Sequence, residues 1–190
     1  MVSHVIFDLD GLLLDTETIY EAVLEKLMKK HGKKFTKELA GNIKGQKERN
    51  AIEYLLKEVR LLSKECIPMA LCSGSRDKTY TPRKENHKWL DLIPMRLFAG
   101  DEPDIKEGKP KPDCFLATMN RFPNKPQNAS KVLVFEDSVN GGKAALAAGM
   151  KCVMVPDDKY REEAKKLKVD KVLNSLDEFK PEEFGLPAYD

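Results

Sequence analysis

Short apolar runs, each closed by a turn signal, punctuate the chain, and longer charged segments separate them. The first run, His4-Val5-Ile6-Phe7, leads straight into Asp8-Leu9-Asp10-Gly11. A run of this length that stops at a turn reads as a strand buried on both faces. Similar runs at 67–72, 96–100, 131–135 and 153–155 predict further strands, with a short one at Val172-Leu173. Between them the apolar residues change to helical spacing. Ile19, Ala22, Val23, Leu27 and Met28 predict a helix ending near His31-Gly32. Ile52, Leu55, Leu56, Val59 and Leu62 form the stripe of a helix over about 48–65, unless a second one begins at Arg60-Leu61-Leu62. Pro82 restricts 76–89 to a short or broken helix. Asp113 is placed to cap a helix over 114–121. A small-residue helix over 141–148 closes at Gly149, and a charged helix covers about 160–167. Strands alternating with helices predict an α/β fold, a parallel sheet with helices on both faces. The stretch between the first two strands is too long for a simple crossover. The expected organisation is a core of residues 1–15 and 58–190 with a small α-helical insert over 16–57.

Composition narrows the class without changing that picture. A chain of 190 residues suits one domain with a small insert. A domain of this size buries roughly 70% of its unfolded surface and needs no disulfide or metal to fold. The net charge of +2 comes from interspersed acids and bases, which argues against a nucleic-acid-binding face. Cys66, Cys72, Cys114 and Cys152 form no CxxC pair; Cys72 and Cys152 sit in apolar runs and read as core residues of a reducing compartment. No apolar run approaches the ~18 residues a membrane span needs. No basic region precedes Asp8 to suggest a signal peptide, so a cytoplasmic protein is expected.

The candidate chemistry lies where the strands stop. Asp8 and Asp10 are two apart at the end of the first strand, and Gly11 lets the backbone turn beside them. The second strand ends in Ser73-Gly74-Ser75, whose N–H groups can point at an anion. Lys109 lies in the loop 108–113, and the fourth strand ends in Glu136-Asp137-Ser138. Each has an ordinary reading: an acidic turn, a turn serine, a solvated lysine, a helix N-cap. In parallel strands all gather at one sheet edge, where open α/β sheets bind ligands. Their order suits phosphate-ester hydrolysis with an aspartate nucleophile. Asp8 would attack phosphorus. Ser73 and the N–H groups of Gly74 and Ser75 would hold phosphoryl oxygens, and Lys109 would neutralise charge. Asp10, crowded by like charges, is suited to deliver a proton to the leaving oxygen and to take one from water. A Mg²⁺ ion would offset the repulsion between a phosphate and this acid cluster.

The segments HVIFDLDGLLLDTE, ALCSGS, GKPKPDCF and VFEDSVNGGKAALAAGM resemble the four motifs of the haloacid dehalogenase superfamily, phosphatase branch. The resemblance covers nearly the whole chain. It implies a Rossmann-like core with a helical cap, Mg²⁺ as cofactor and a small phosphorylated metabolite, of sugar or nucleotide type, as substrate. It implies Asp8 as nucleophile, Asp10 as acid/base, and Asp137 with Glu136 beside it as metal acids. The acids available to the metal are thus Asp8, Asp10, Asp137 and Glu136. The basic turn Lys44-Gly45-Gln46-Lys47 resembles the cap loop that reaches the substrate, which makes Lys47 a candidate contact. One departure stands out. Family members carry a full cap and a Pro-Gly-containing segment before the second strand, whereas here Lys57-Glu58-Val59 runs almost directly into Arg60-Leu61-Leu62-Ser63-Lys64. Several tens of residues are missing, so a shortened cap is expected. A sugar phosphomutase would use the same motifs. A hydrolytic dehalogenase would not need Asp10 or Asp137. A phospho-receiver domain places its acid pair and its phosphorylated aspartate on different strands. A non-catalytic shortened form would keep the core fold without a working cap.

Overall fold

A computed structural model of the protein describes residues 1–14, 62–63, 66–84 and 87–188. The sequence-predicted helix carrying Ile19 to Met28, all of the one over about 48–65 except 62–63, the turn at 44–47 and the whole of the proposed insert lie outside the described residues.

Six strands form one sheet: β1 (His4–Phe7), β2 (Met69–Ser73), β3 (Met95–Phe98), β4 (Val132–Glu136), β5 (Lys151–Met154) and β6 (Lys171–Val172). Every pairing is parallel, in the order β3-β2-β1-β4-β5-β6. Each predicted strand is present, shifted by one or two residues at its ends. The shift at β2 has a simple cause. Pro68 has no N–H to give the ladder, but its carbonyl accepts from Val5 N–H at 3.0 Å, so pairing begins one residue ahead of the strand.

Alternation divides the strand side chains between two apolar layers. Val5, Phe7, Leu71, Leu133, Phe135 and Val153 face one layer with Leu62, Tyr80, Leu90 and Ile93. The chain's end closes that layer, Phe179 meeting Phe135 edge-on with ring centroids 4.8 Å apart. Ile6, Ala70, Cys72, Val134, Cys152 and Met154 face the other layer with Cys114, Phe115, Ala144, Ala145 and Ala164. Those partners come from α2 (Asp113–Arg121), α3 (Val139–Ala147) and α4 (Arg161–Lys166), while α1 (Asp77–Lys84) supplies Tyr80 to the first layer. Each large apolar side chain removed from water contributes roughly 1.5–3 kcal/mol. Both faces of the central strands are therefore covered, as a parallel sheet requires. No helix among the described residues is long and apolar enough to cross a membrane.

Two helix starts differ from the sequence expectation. Asp113 does not cap α2: the cap position is Pro112, and Asp113 is the first helical residue. There its charge still faces the positive end of the helix dipole. At α3, Ser138 is the cap, its hydroxyl accepting from Gly141 N–H at 3.0 Å, and the helix begins two residues earlier than predicted. Pro82 sits in the second turn of α1 and does not prevent an eight-residue helix.

Leu62 and Ser63 are helical, and Leu62 is fully buried. Their carbonyls accept from Ile67 N–H at 2.9 Å and Cys66 N–H at 3.2 Å, respectively. This nested pair ends a helix with its C′ residue in the left-handed region, a place usually taken by glycine. Here it is Cys66, exposed, with φ 56°. The left-handed conformation costs a residue with a Cβ roughly 1–2 kcal/mol, partly offset by glycine's larger loss of entropy on folding. Cys66→Gly should therefore raise the unfolding free energy by about 0.5–1 kcal/mol, read from the urea midpoint at unchanged m-value. An unchanged or lowered midpoint would show that the cysteine is not strained there.

Candidate active site

Because β1 lies between β2 and β4, the residues at the carboxyl ends of these three strands become neighbours. Asp8 follows β1 and continues its ladder, donating its N–H to Phe135 O at 3.0 Å. Ser73 closes β2 and Glu136 closes β4. All three are buried, Glu136 completely.

Lys109 reaches into this group from the loop before α2. Its Nζ donates to Asp8 Oδ1, to Glu136 Oε1 at 2.5 Å and to Cys72 O at 3.5 Å. An ammonium has three N–H donors, and three acceptors surround it. The Phe115 ring of α2 lies beneath, with its centroid 4.9 Å from Nζ. Burial works against charge on Lys109, but the carboxylates of Asp8 and Glu136 outweigh it and hold the ammonium well above the ordinary lysine range. Burial pushes the Asp8 carboxyl up; Lys109 opposes this, and the charges of Glu136 and Asp137 add to it.

Glu136 is fixed at both oxygens. Oε1 takes Lys109, while Oε2 accepts the N–H groups of Asp137 and Ser138, each at 3.1 Å, and the Ser138 hydroxyl at 3.0 Å. The carboxylate thus lies at the N-terminus of α3, where negative charge is favoured. A carboxylate offers about four acceptor sites, and this one has four donors. The approach depends on Gly141, where a Cβ would stand 1.8 Å from the Glu136 carboxyl carbon.

The Asp137 carboxylate lies close against Gly11, which has φ +93°. A Cβ at that glycine would lie 2.1 Å from Asp137 Oδ2, so the turn needs both its left-handed backbone and its bare Cα. One carboxylate oxygen each from Asp8, Glu136 and Asp137 lie within 4.8 Å of one another. Carboxylate oxygens are the hard donors that Mg²⁺ takes, and with Glu136 already engaged at both oxygens the pair that fits such an ion is Asp8 and Asp137.

Asp10, also named from the sequence as a metal acid, is outside that trio. Its Oδ2 accepts the Ser73 hydroxyl at 3.0 Å and the Ser75 hydroxyl at 2.7 Å. The Ser75 N–H, expected to face an anion, donates to Ser73 Oγ at 3.0 Å. Gly74 has open space beside its Cα. The structure therefore gathers Asp8, Asp10, Ser73, Gly74, Ser75, Lys109, Glu136 and Asp137 at one sheet edge. Lys47 lies outside the described residues. Sequence reasoning missed the hydroxyl of Ser138 as a donor to Glu136 and the need for glycine at Gly141. The three-residue offset from Ser138 to Gly141 was the available signal.

A family model for haloacid dehalogenase-like hydrolases matches residues 34–149. The chain is 33% identical to (DL)-glycerol-3-phosphatase 2 of Arabidopsis thaliana, over 100% of its own length and 93% of that protein's. It is 33% identical to a probable pseudouridine-5'-phosphatase of Drosophila melanogaster, covering 99% of this chain and 96% of the other. Its fold matches the crystal structure of a family hydrolase from Deinococcus radiodurans with bound phosphate and sodium. That match has a TM-score of 0.76 and 22% identity and covers 98% of each chain. The Arabidopsis alignment runs over 225 positions, whereas this chain has 190 residues, so at least 35 positions have no residue here.

The contact between Gly141 and Glu136 can be tested directly. Gly141→Ala drives a methyl into a carboxylate held by four donors, and overpacking of this kind costs about 1–3 kcal/mol. The unfolding free energy should fall by that amount in urea denaturation. Parent-like stability would show that Glu136 moves aside freely.

Proposed function

This chain belongs to the haloacid dehalogenase-like hydrolases, and on that premise we propose that it hydrolyses phosphate monoesters of small metabolites through a phospho-aspartate on Asp8. The observation that carries this reading is the buried lysine shared by Asp8 and Glu136, set beside a serine at the next strand end. With Oδ1 held by Lys109, attack on phosphorus falls to Oδ2 of Asp8. Ser73 and the Gly74 N–H hold the phosphoryl oxygens, and Lys109 offsets the charge that accumulates there. The bond from phosphorus to the leaving oxygen breaks, and Asp10 gives that oxygen a proton. Asp10 then takes a proton from the water that cleaves the phospho-aspartate. Asp8 and Asp137 would hold Mg²⁺, with Glu136 behind them fixing Lys109. When bound, the ion supplies charge neutralisation between the acids and the phosphate.

The names of the relatives point to small substrates carrying one phosphate. Pseudouridine 5'-phosphate, or a related sugar or nucleotide phosphate, is the substrate class we favour. The alignment shortfall of at least 35 positions supports a cap reduced to residues 16–57, with Lys47 as its contact to substrate. A reduced cap excludes less water and makes fewer specificity contacts. Weak and unselective turnover follows. Burial of Cys72, Cys114 and Cys152 in the core fits the reducing, cytoplasmic setting we favour.

Two experiments test the reading. Asp8→Asn should lower Mg²⁺-dependent phosphate release by roughly 10³-fold or more while the circular dichroism spectrum stays that of the parent. Turnover near the parent's in that variant would remove Asp8 as nucleophile. If the parent releases no phosphate from any sugar or nucleoside monophosphate, the chain is a non-catalytic form; activation by a sugar bisphosphate would mark a phosphomutase. Asp137→Ala should weaken Mg²⁺ binding in calorimetry by at least tenfold, or about 1.4 kcal/mol. Unchanged affinity would place the ion elsewhere.

A further inference from the structure

We infer that the Ser75 hydroxyl positions the Asp10 carboxyl for proton transfer, an inference that rests on the acid/base role proposed above for Asp10. Two serines donate to one oxygen, Asp10 Oδ2: Ser73 at 3.0 Å and Ser75 at 2.7 Å. They differ in what else they must do. A serine hydroxyl carries a single proton to donate. Once Ser73 turns that proton to a phosphoryl oxygen, its bond to Asp10 is gone. Ser75 is the shorter contact and has no such second duty at its hydroxyl, because its link to Ser73 is made by its backbone N–H.

The position of Ser75 is itself set by rigid elements. Its carbonyl accepts from Gly100 N–H at 3.1 Å, just beyond the end of β3. A Cβ at Gly100 would lie 3.0 Å from that same oxygen, so the two segments touch at backbone distance. On the other side, its N–H is tied to the side chain that closes β2. The hydroxyl therefore approaches Asp10 from a fixed support.

The consequence concerns which oxygen carries the proton. An oxygen accepting two hydroxyl protons is the acceptor end of the carboxyl. The acid proton then belongs on Oδ1. In the first half-reaction the bond from phosphorus to the leaving oxygen breaks, its electron pair goes to that oxygen, and the Oδ1 proton moves to it. In the second, water attacks phosphorus, the bond from phosphorus to Asp8 breaks, and the proton from water returns to Oδ1. Ser75 keeps Oδ2 occupied through both halves and directs Oδ1 at the reacting atoms. Ser75 acts through its bond to Asp10, so in this reading it is a positioning residue.

The test compares single-turnover rates on an alkyl phosphate, whose leaving oxygen needs a proton, with those on 4-nitrophenyl phosphate, whose leaving oxygen needs little help. The variants are Ser75→Ala, Ser75→Thr, Asp10→Asn and the double variant Asp10→Asn/Ser75→Ala. Ser75→Ala should slow the alkyl substrate about tenfold more than the aryl one, with KM within about twofold of the parent's. Ser75→Thr, which keeps the hydroxyl, should restore the parent ratio. In the Asp10→Asn background the second change should cost nothing further, since the group it positions is gone. Equal losses on both substrates, additive losses in the double variant, or a raised KM at constant rate would overturn the inference; the last would make Ser75 a phosphate contact. If Ser75→Ala lacks the leaving-group preference while Asp10→Asn shows it, only the positioning role falls. If Asp10→Asn lacks it too, the acid/base reading falls and takes this inference with it.

Discussion

A single ammonium holds together the ends of three strands that would otherwise push apart. Asp8 and Glu136 are both buried at the edge of adjacent strands, and Lys109 bonds to each and to the Cys72 carbonyl of the third. Removing one member of a buried ion pair leaves the other charge uncompensated, at a cost of about 3–5 kcal/mol. The geometry meets the condition under which such a cluster is tolerated: every lysine proton has an acceptor, and Glu136 has donors on both oxygens. The cluster that joins β2, β1 and β4 at this edge is also the cluster that fits the proposed chemistry. Stability and reactivity meet at the same atoms.

Four acids of one charge share this edge, and the three besides Asp8 are each satisfied differently. Glu136 turns inward to the lysine and the start of α3. Asp137 lies against the bare backbone of Gly11. Asp10 turns to two serine hydroxyls, away from the trio. The environments differ in the kind of donor offered: an ammonium and helix amides, a glycine turn, neutral hydroxyls. Environment separates groups of the same type into different tasks.

Most of the fold was legible because buried strands and their turn residues leave a strong imprint. The six strands, their parallel pairing and the sheet edge that gathers Asp8, Ser73, Lys109 and Glu136 follow from short apolar runs and their endings, but the order of strands in the sheet does not. What escaped was direction. Asp8 and Asp10 lie two apart, yet one meets a lysine and the other two serines, a choice of partners that spacing alone does not specify. Asp113 looks like a cap in sequence, but Pro112 before it already has helical backbone angles and takes the cap position. Three of the four donors on Glu136 were hidden for a similar reason: they come from Asp137 and the cap Ser138, just ahead of α3, and that helix starts two residues earlier than its small-residue run suggests.

The strand order has a bearing on how the chain is made. β1 is synthesised first, yet it lies at the centre of the sheet, and His4 must wait for Val132 before its second side is paired. At roughly 5–20 residues per second, that partner emerges many seconds after the first strand. Until then β1 can pair only on its β2 side, within a β3-β2-β1 sheet whose open edge is lined by Val5, Ile6 and Phe7. Parallel pairing between strands so far apart in sequence is slow, and an open apolar strand edge invites pairing with other chains. During synthesis, then, the nascent N-terminal segment is the part most in need of a chaperone, and the arrival of β4 ends that exposure.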